Sequence, residues 1–483
     1  MITTKPIDIE DAHADILQNA FKKHLSNGVH VYAFGSRANW QAKRASDLDL
    51  AIDANDALKR NIGSLEEELS LSDLPYKVDI VNLNSISDSF RKAIMPDLVP
   101  ILWDWREIKI SEIVEVIGGG TPKTSVTEYW NGDIPWLSVA DFNSGKKYVY
   151  NAEKHITTLA LNKSSTNILA KGDIIISARG TVGIVAMLAT TMTFNQSCYG
   201  IRANQKSFNG YIYYLLKDAV HHLQRISHGG VFNTITRDTF KEIKISLPPI
   251  SEQKAIASVL SSIDDKIDLL HRQNNTLESI AETIFRQWFI EEANDSWEEG
   301  VLGDAIQLFD SKRMPISKIQ RDKMKDGNLF PYYGAATIMD YINNYIFDGE
   351  YILLGEDGTV RTNEGYPILQ YATGKFWVNN HVHVIQAKSP YNNFFLWCYL
   401  SKKNIDKIVT GAVQPKVNQV NLKSLDFPKF PENLIEKFCF NTADIFSKIK
   451  HNQKQIKTLE CLRDMLLPKL ISGDIRVEYE EVS

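Results

Sequence analysis

Cysteine is scarce in this sequence, which has four in 483 residues and no Cys-x-x-Cys pair. That count and spacing exclude a disulfide-built fold and offer no cysteine motif for zinc. No positively charged segment followed by an apolar run comes after Met1, so no secretory leader is indicated. We therefore expect a reduced protein of the cytoplasm.

Long apolar runs and net positive charge are also missing. The longest apolar stretch, Thr181–Met192, is shorter than the roughly 20 residues of a membrane-spanning helix, so we expect no membrane partner. The 54 Lys and Arg residues face 59 Asp and Glu, which excludes a uniformly basic nucleic-acid coat but not local basic surfaces. Residues 1–104 carry the excess acid, with 16 acidic and 11 basic side chains.

What the sequence does contain is an internal duplication that starts at Trp105. Trp105–Glu107 is echoed by Trp297–Glu299, and Gly180–Val182 by Gly358–Val360. An offset of about 180 residues is long for a solenoid repeat and suits two copies of one globular module.

Each copy ends in a heptad pattern that begins just after prolines. Apolar residues at seven-residue spacing in the first copy are Ile256, Ile263, Leu270, Leu277 and Ile284. Those at the two heptad positions of the second copy are Phe438, Ile445, Leu459 and Leu466, and Ile435, Ile449 and Ile456. The spacing predicts two long helices that pair antiparallel; the alternative is two amphipathic helices, each packed on its own module.

Residues 105–483 resemble the specificity subunit of a type I restriction-modification system. The motifs that carry the resemblance are Gly118–Pro122, Leu169–Ile174, Leu247–Lys254 and Leu467–Gly473. The resemblance implies an α+β multidomain fold with two α/β target-recognition domains and two long heptad helices that form an antiparallel coiled coil. The bounds that we expect are 105–250 and 297–431 for the recognition domains, 251–292 and 432–475 for the spacer helices, and 476–483 for a tail.

The same resemblance implies a subunit that reads a bipartite double-stranded DNA target without being catalytic itself. It implies docking of methyltransferase subunits, two in number, and of a restriction subunit that is motor and nuclease. S-adenosylmethionine and ATP would be used by those partners, and the recognition region would need no cofactor. The helix residues that we expect in partner docking are Ile256, Ile263, Leu270, Leu277, Ile284, Ile445, Ile456 and Leu459.

Basic side chains in polar segments of both copies are the candidate DNA contacts, because Lys and Arg supply phosphate contacts and Arg also reads guanine. They are Lys123, Lys146, Lys147, Arg179, Arg225 and Arg237 in the first copy, and Lys312, Arg313, Arg321 and Lys416 in the second.

Residues 1–104 form a separate small α/β domain in which three aspartates are candidate metal ligands. Asp47 and Asp49 fall on one face of a predicted strand, and Asp79 lies on a neighbouring strand. Carboxylates so placed are suited to Mg²⁺ and to catalysis by it.

This domain resembles the minimal nucleotidyltransferases of the polymerase-β-like fold. The motifs that carry the resemblance are Phe34–Arg37, Ser46–Leu50 and Lys77–Val81. It implies a bound nucleoside triphosphate and Mg²⁺, with Asp47, Asp49 and Asp79 as catalytic residues if the domain is active. Gly35, Ser36 and Arg37 are the candidate nucleotide-binding residues, at a strand-to-helix turn whose N–H groups can face phosphates.

Three functions are compatible with these patterns. The leading prediction is a DNA-specificity subunit with a nucleotidyltransferase-like extension. The second is a nucleotidyltransferase that modifies a partner protein or nucleic acid and is delivered to DNA by the recognition domains. The third is an acidic regulatory domain that masks the basic recognition domains.

Two other interpretations of local motifs are set aside. Methylation by the chain itself is not expected, since Leu247–Ile250 lacks the Asn and the aromatic residue of an adenine methyltransferase loop. His381 and His383 alternate along one predicted strand, and without a third ligand nearby in sequence we expect a structural or DNA-facing pair.

Overall fold

The computed structural model describes residues 7–25, 29–53, 59–143, 145–226, 234–293, 297–411 and 414–477. The chain divides into two compact units, Met1–Leu269 with Ile456–Ser483, and Leu270–Gln455. The first unit contains the N-terminal domain and the first recognition domain, called here the first head. The second unit contains the second recognition domain, the second head.

The N-terminal domain is a four-stranded sheet with three helices. In chain order its elements are α1 (Asp11–His24), β1 (His30–Phe34), β2 (Leu48–Asp53), α2 (Lys59–Ser70), β3 (Val78–Asn82), α3 (Asp88–Ile94) and β4 (Val99–Ile101). The strand order is β3-β2-β1-β4, and only the β2–β3 pair is parallel. Leu17 and Phe21 of α1 recur at helical spacing and are buried against the apolar face of the sheet, which includes Val31 and Leu50.

The first head is built mainly from short strands in two sheets. Its elements are β5 (Arg106–Lys109), β6 (Val114–Gly118), β7 (Trp130–Leu137), α4 (Val139–Phe142), β8 (Tyr148–Val149), β9 (Lys154–Ile156), α5 (Thr158–Lys163), β10 (Ile168–Leu169), β11 (Ile174–Ser177), β12 (Val185–Leu188), β13 (Met192–Phe194), β14 (Cys198–Ala203), α6 (Asn209–Ile226), α7 (Arg237–Glu242) and β15 (Lys244–Leu247). The sheet orders are β6-β14-β11-β12-β8 and β10-β13-β7-β9, and β15 pairs with β5.

Helix α8 (Ile250–Arg286) follows the first head and ends in a π-helical turn at Gln287–Glu291. The elements of the second head are α9 (Leu302–Ala305), β16 (Ile306–Leu308), α10 (Lys318–Asp322), β17 (Phe330–Tyr333), β18 (Ile338–Ile342), β19 (Phe347–Gly355), β20 (Leu369–Val378), β21 (Val382–Ala387), α11 (Asn393–Ser401) and α12 (Gln419–Lys423), and helix α13 (Glu432–Ser472) follows. The strands form one six-stranded sheet in the order β16-β21-β19-β20-β17-β18.

The duplication is visible in the strand pairing of the two heads. In the first head, β14 lies between β6 and β11; in the second, β21 lies between β16 and β19, and all four pairs are antiparallel. The glycines of the echoed motif, Gly180 and Gly358, have φ values of +76° and +79°, a left-handed conformation that favours glycine.

The two long helices pair antiparallel within each unit, as the heptads predict. In the first unit, Asp264 of α8 contacts Arg463 of α13 at 2.9 Å. In the second, Asn274 accepts a hydrogen bond of 2.9 Å from Asn452, and the rings of Phe285 and Phe438 lie 5.6 Å apart.

The structure corrects the role expected for the heptad residues. Ile256, Ile263, Leu270 and Ile456 are buried, and Leu277, Ile284 and Ile445 are half-buried against the core of the second unit. Leu459 is also half-buried. A heptad seam faces the partner helix and not solvent. These eight side chains are therefore largely enclosed by the chain itself, and they offer little surface to partner subunits.

The segment expected to be a tail begins with a buried residue. The Arg476 side chain has no exposed surface and forms ion pairs with Glu252, in the first turn of α8, and with Asp104. Arg476 is therefore part of the folded first unit. Within the part of the chain that the structure describes, no helix combines the length and apolarity needed to cross a membrane.

Candidate functional site

The predicted carboxylates of the N-terminal domain lie on adjacent strands. Asp49 of β2 and Asp79 of β3 are direct partners in the parallel pair, so their side chains leave the same face of the sheet. Asp47 precedes β2 by one residue. Burial, and then the charges of Asp79 and Asp47, raise the pKa of Asp49. The raised pKa reflects the burial of Asp49 first and the two neighbouring acids second.

Gly35 packs directly against the carboxylate of Asp49. Its φ is +74°, and a Cβ at this position would lie 2.5 Å from Oδ2 of Asp49. Any side chain here would therefore push Asp49 out of place. The turn that sequence analysis assigned to nucleotide binding is packed directly against the acidic cluster.

The donor set of this cluster fits Mg²⁺, which prefers carboxylate oxygens. One cation is already present among the side chains, since the ammonium of Lys77 lies 2.5 Å from Oδ1 of Asp79. Both side chains are largely exposed, at 70% and 44%, so Lys77 is free to move away from an incoming metal ion.

Arg37 does not serve as the predicted nucleotide contact. Its guanidinium donates to the carbonyl oxygens of Ser46 and Asp8, each at 2.9 Å, and of Arg44 at 3.3 Å, and it lies 3.7 Å from the ring centre of Tyr76. The side chain is buried among these partners. Arg37 instead holds the loop that leads to Asp47.

Four of the predicted DNA contacts of the first head are exposed. They are Lys123, Lys146, Arg179 and Arg237. Arg179 lies in the turn between β11 and β12, next to Gly180, and Arg237 begins α7, with its guanidinium close to Gly118. The side chain of Arg225 is outside the described residues.

Lys147 is a correction to the predicted set. Its side chain is 3% exposed, with Nζ 3.3 Å from Oδ1 of Asp265 on α8 and 4.7 Å from the ring centre of Tyr148. Burial lowers the pKa of Lys147, and the charges of the nearby aspartates act in the opposite direction. This lysine attaches the first head to α8 and does not face DNA.

In the second head, the predicted lysines are exposed and the predicted arginines are not. Lys312 and Lys416 are exposed. Arg313 donates to Oε2 of Glu356 and to the carbonyl of Val382, both at 2.6 Å. Its side chain is 12% exposed. Arg313 is therefore a structural residue. The Nζ atom of Lys416 lies 3.4 Å from Oε1 of Glu356, and this exposed lysine remains a candidate DNA contact.

Arg321 is corrected for the same reason. Its Nε donates to Asp340 at 2.9 Å, Nη1 donates to the carbonyl of Ile316 at 2.7 Å, and the guanidinium lies 4.9 Å from the ring centre of Tyr332. This packing fixes α10 to the β17–β18 hairpin.

Each histidine of the second head is paired with an aspartate that the sequence pattern did not predict. His383 is fully buried and contacts Asp310, and His381 contacts Asp357, each at 2.6 Å. Among the described residues, donor atoms of Asp310, Glu356 and His383 all lie within 4.8 Å of one another. No local pattern marks Asp310, which is 73 positions from His383 in the sequence.

Comparison with known proteins agrees with this architecture. A family model described as the type I restriction modification DNA specificity domain matches residues 103–279 and 294–457. A second model, described as polymerase beta nucleotidyltransferase, matches residues 16–102. The two matches of the first model are the two copies of the duplication.

Individual relatives are of both kinds. The type I restriction enzyme MjaIX specificity subunit of Methanocaldococcus jannaschii is 32% identical over 420 residues, 79% of this chain and 96% of the relative. The probable protein adenylyltransferase MntA of Haemophilus influenzae is 37% identical over 97 residues, 20% of this chain and 82% of the relative. A crystal structure of a type I S subunit from M. genitalium is 18% identical, with a TM-score of 0.45, and covers 76% of this chain and 96% of that one.

Two related heads, each followed by a long helix, define the class of bipartite recognition subunits. The chain belongs to the family of type I restriction-modification specificity subunits, and it carries an N-terminal nucleotidyltransferase domain of the polymerase-β type.

Proposed function

We propose that each head reads one half of a bipartite double-stranded DNA target. The observation that carries this proposal is the repeated β-sheet topology, with exposed basic residues on both heads. A target in two halves mirrors a protein with two recognition units, as half-sites do for dimeric DNA-binding proteins. Exposed lysines and arginines provide the phosphate contacts that any such reader needs.

The same proposal includes the partner subunits. Two methyltransferase subunits would bind the outer faces of the helix pair and use S-adenosylmethionine, and a restriction subunit would use ATP. The assembly would act in the cytoplasm on the DNA held there. The relatives that share most of this chain's length are named as specificity subunits of restriction enzymes, which supports this division of labour.

Replacing exposed cations of the first head by alanine is expected to weaken DNA binding and to make the affinity less dependent on salt concentration. For K123A/R179A/R237A, the slope of log K against log salt should become shallower by about 0.9 for each DNA phosphate that the variant no longer neutralises. Binding is measured on the complex with its methyltransferase subunits over a series of salt concentrations. The matched control is Lys241→Ala, whose ammonium is already paired with Asp238 on the surface at 2.8 Å. Equal slopes for the triple variant and the wild type would refute the assignment of these residues to DNA binding.

A nucleotidyltransferase activity is the second candidate function, favoured by the Asp49–Asp79 pairing at the Gly35 turn. Asp47, Asp49 and Asp79 would hold Mg²⁺, which would neutralise the phosphates of a nucleoside triphosphate. One relative of the chain is named as a probable protein adenylyltransferase, so a protein is the acceptor class to test first.

Binding of Mg²⁺ to this cluster is expected to strengthen as the pH rises through the acid range. The pKa of Asp49 is raised, so at low pH the metal ion must displace a proton, and at higher pH it need not. Calorimetric titration with Mg²⁺ at several pH values measures this, and Asp49→Asn should weaken Mg²⁺ binding and make its pH dependence shallower. Asp53→Asn is the control, since Asp53 lies on the same strand but accepts a hydrogen bond from Asn84 at 2.8 Å. Identical titrations for wild type and Asp49→Asn would exclude the site.

A further inference from the structure

His383 lies between two hydrogen-bond acceptors in the core of the second head. It is on β21 and has no exposed surface. Its Nδ1 is 2.6 Å from Oδ2 of Asp310, and its Nε2 is 2.7 Å from the carbonyl oxygen of Val417. Both ring nitrogens therefore face oxygen atoms.

The hydrogen bonds around this ring define where the protons are. A carbonyl oxygen only accepts, so Nε2 of His383 must donate to Val417. Asp310 accepts from the backbone N–H of Val384 at 2.9 Å and from the side-chain amide of Gln419 at 2.7 Å, one bond on each carboxylate oxygen. Two N–H donors, one on each oxygen, favour the ionised form of this carboxyl group. An ionised Asp310 can only accept, so Nδ1 of His383 then donates as well.

The pKa of Asp310 supports an ionised carboxylate. Burial acts to raise it, but the hydrogen bond and charge of His383 and the backbone bond from Val384 outweigh burial and lower it. An imidazole that donates from both nitrogens is an imidazolium. The pair is a buried cation and a buried anion in direct contact.

The other charged groups near the ring leave a balanced cluster. Glu356 lies 3.9 Å from Nδ1 of His383, and it is paired with Arg313 at 2.6 Å and with Lys416 at 3.4 Å. Next along β21, His381 is paired with Asp357. Because a guanidinium and an ammonium already neutralise Glu356, the carboxylates here are satisfied by side chains and not by a metal ion.

The cluster fastens one segment of chain to the sheet. Val417 accepts from His383 and donates its backbone N–H to the carbonyl of Glu356 at 2.8 Å, and Gln419 donates to Asp310. Directly before Val417 is Lys416, an exposed candidate DNA contact. The anchored segment is therefore Lys416–Gln419.

The first head has no such pair at the matching positions. His383 lies opposite Leu354 of β19, and in the equivalent register Tyr199 lies opposite Ile176 of β11. On its other side, Tyr199 is paired with Gly118 of β6, and a glycine has no side chain that could pair with a histidine. A proton-dependent cluster at this register is thus a feature of the second head.

We propose that His383 is a positioning residue whose imidazolium form holds Lys416–Gln419 in place for DNA contact, so that recognition of one half-site depends on a single buried proton. This proposal rests on the proposed function of the heads. It concerns the half-site of the second head and not that of the first.

The protonation state is tested without DNA. In the full chain labelled with ¹⁵N-histidine, both ring nitrogens of His383 should show a directly bonded proton at neutral pH, with the signals assigned by their loss in His383→Gln. A ring with one protonated nitrogen would overturn the proposal. Asp310→Asn, which keeps the histidine, should remove one of the two protons.

The positioning role is tested on DNA. Three synthetic duplexes are used. One contains the full target established by methylation mapping, the second has only the first half scrambled, and the third has only the second half scrambled. His383→Gln should weaken binding to the full target by about tenfold, the loss of a charged hydrogen bond, and should abolish discrimination at one half only. Asp310→Asn should do the same.

Tyr199→Phe is the matched control and should discriminate both halves of the target as the wild type does. Thermal unfolding of each variant separates a misplaced segment from an unfolded head. If the variants are folded and read both halves normally, the positioning role is wrong. If the wild-type complex binds no duplex at all, the proposed function itself fails, and with it the role of His383.

Discussion

Replacing Arg476 by alanine is expected to lower the free energy of unfolding of the first unit by about 3–5 kcal/mol, the cost of breaking a buried ion pair by removing one partner. The Arg476 side chain has no exposed surface. Its Nε lies 2.5 Å from Oε1 of Glu252, and its Nη2 lies 2.6 Å from Oε2 of Glu252 and 3.0 Å from Oδ2 of Asp104. Without the guanidinium, two buried carboxylates are left without a counter-charge.

The two sides of this junction differ in how burial acts on them. Burial raises the pKa of Glu252, and the hydrogen bonds and charge of Arg476 only partly oppose that rise. Burial acts against the charge of Arg476, but the hydrogen bonds and charges of Glu252 and Asp104 outweigh it and raise the pKa of the guanidinium. Trp105 completes the junction by donating its indole N–H to Glu252 at 2.9 Å. The ion pairs thus join the start of the first head, the start of α8 and the end of the chain.

Urea denaturation measures the effect, and Lys244→Ala is the control. Lys244 is paired with Glu107 at 2.6 Å, but both side chains are more than half exposed, so its loss should cost less than about 1 kcal/mol. A triple variant, R476M/E252Q/D104N, removes all three charges and should recover part of the stability lost in Arg476→Ala. Equal effects of Arg476→Ala and Lys244→Ala would contradict this account of the junction.

Phe438→Ala is expected to destabilise the second unit by a similar amount, about 3–5 kcal/mol, because it removes a large side chain from a packed core. Phe438 is fully buried on α13. Its ring centre lies 5.6 Å from those of Phe285, Phe289 and Phe395. These contacts join α13 to α8, to the π-helical turn and to α11 of the second head.

The same helix supplies the control for this variant. Phe440 is two residues further along α13 and is 84% exposed, so Phe440→Ala should change stability by no more than about 0.5 kcal/mol. Urea denaturation of the two variants gives the comparison. A loss of less than about 1 kcal/mol for Phe438→Ala would show that the aromatic cluster is not the core that joins these elements.

Local patterns in the sequence were enough to predict the helices and the acidic cluster. The heptads run along one chain segment, and the helices that they predict are α8 and α13. The aspartates also lie in short motifs, and a strand alternates its side chains between two faces, so the placing of Asp49 follows from spacing. The strands of the heads could not be predicted from local patterns, because many are two to four residues long and pair with strands distant in sequence.

The errors in the predicted site come from basic side chains that turn inward. Lys147 and Arg313 are paired with carboxylates distant in sequence. Arg37 and Arg321 donate to backbone carbonyls nearer in sequence, which no pattern of side chains marks. Arg476 contacts residues 224 and 372 positions away, so no sequence window contains the junction. Only the folded chain brings these groups together.

The bipartite reading of DNA is tested most directly by a map of methylated adenines. The chain is co-expressed with the product of the neighbouring methyltransferase gene, the complex is purified, and genomic DNA methylated by it is sequenced. Our account predicts one split motif, two short halves separated by a gap of fixed length. An uninterrupted motif, or methylation without sequence preference by a complex that contains this chain, would contradict it.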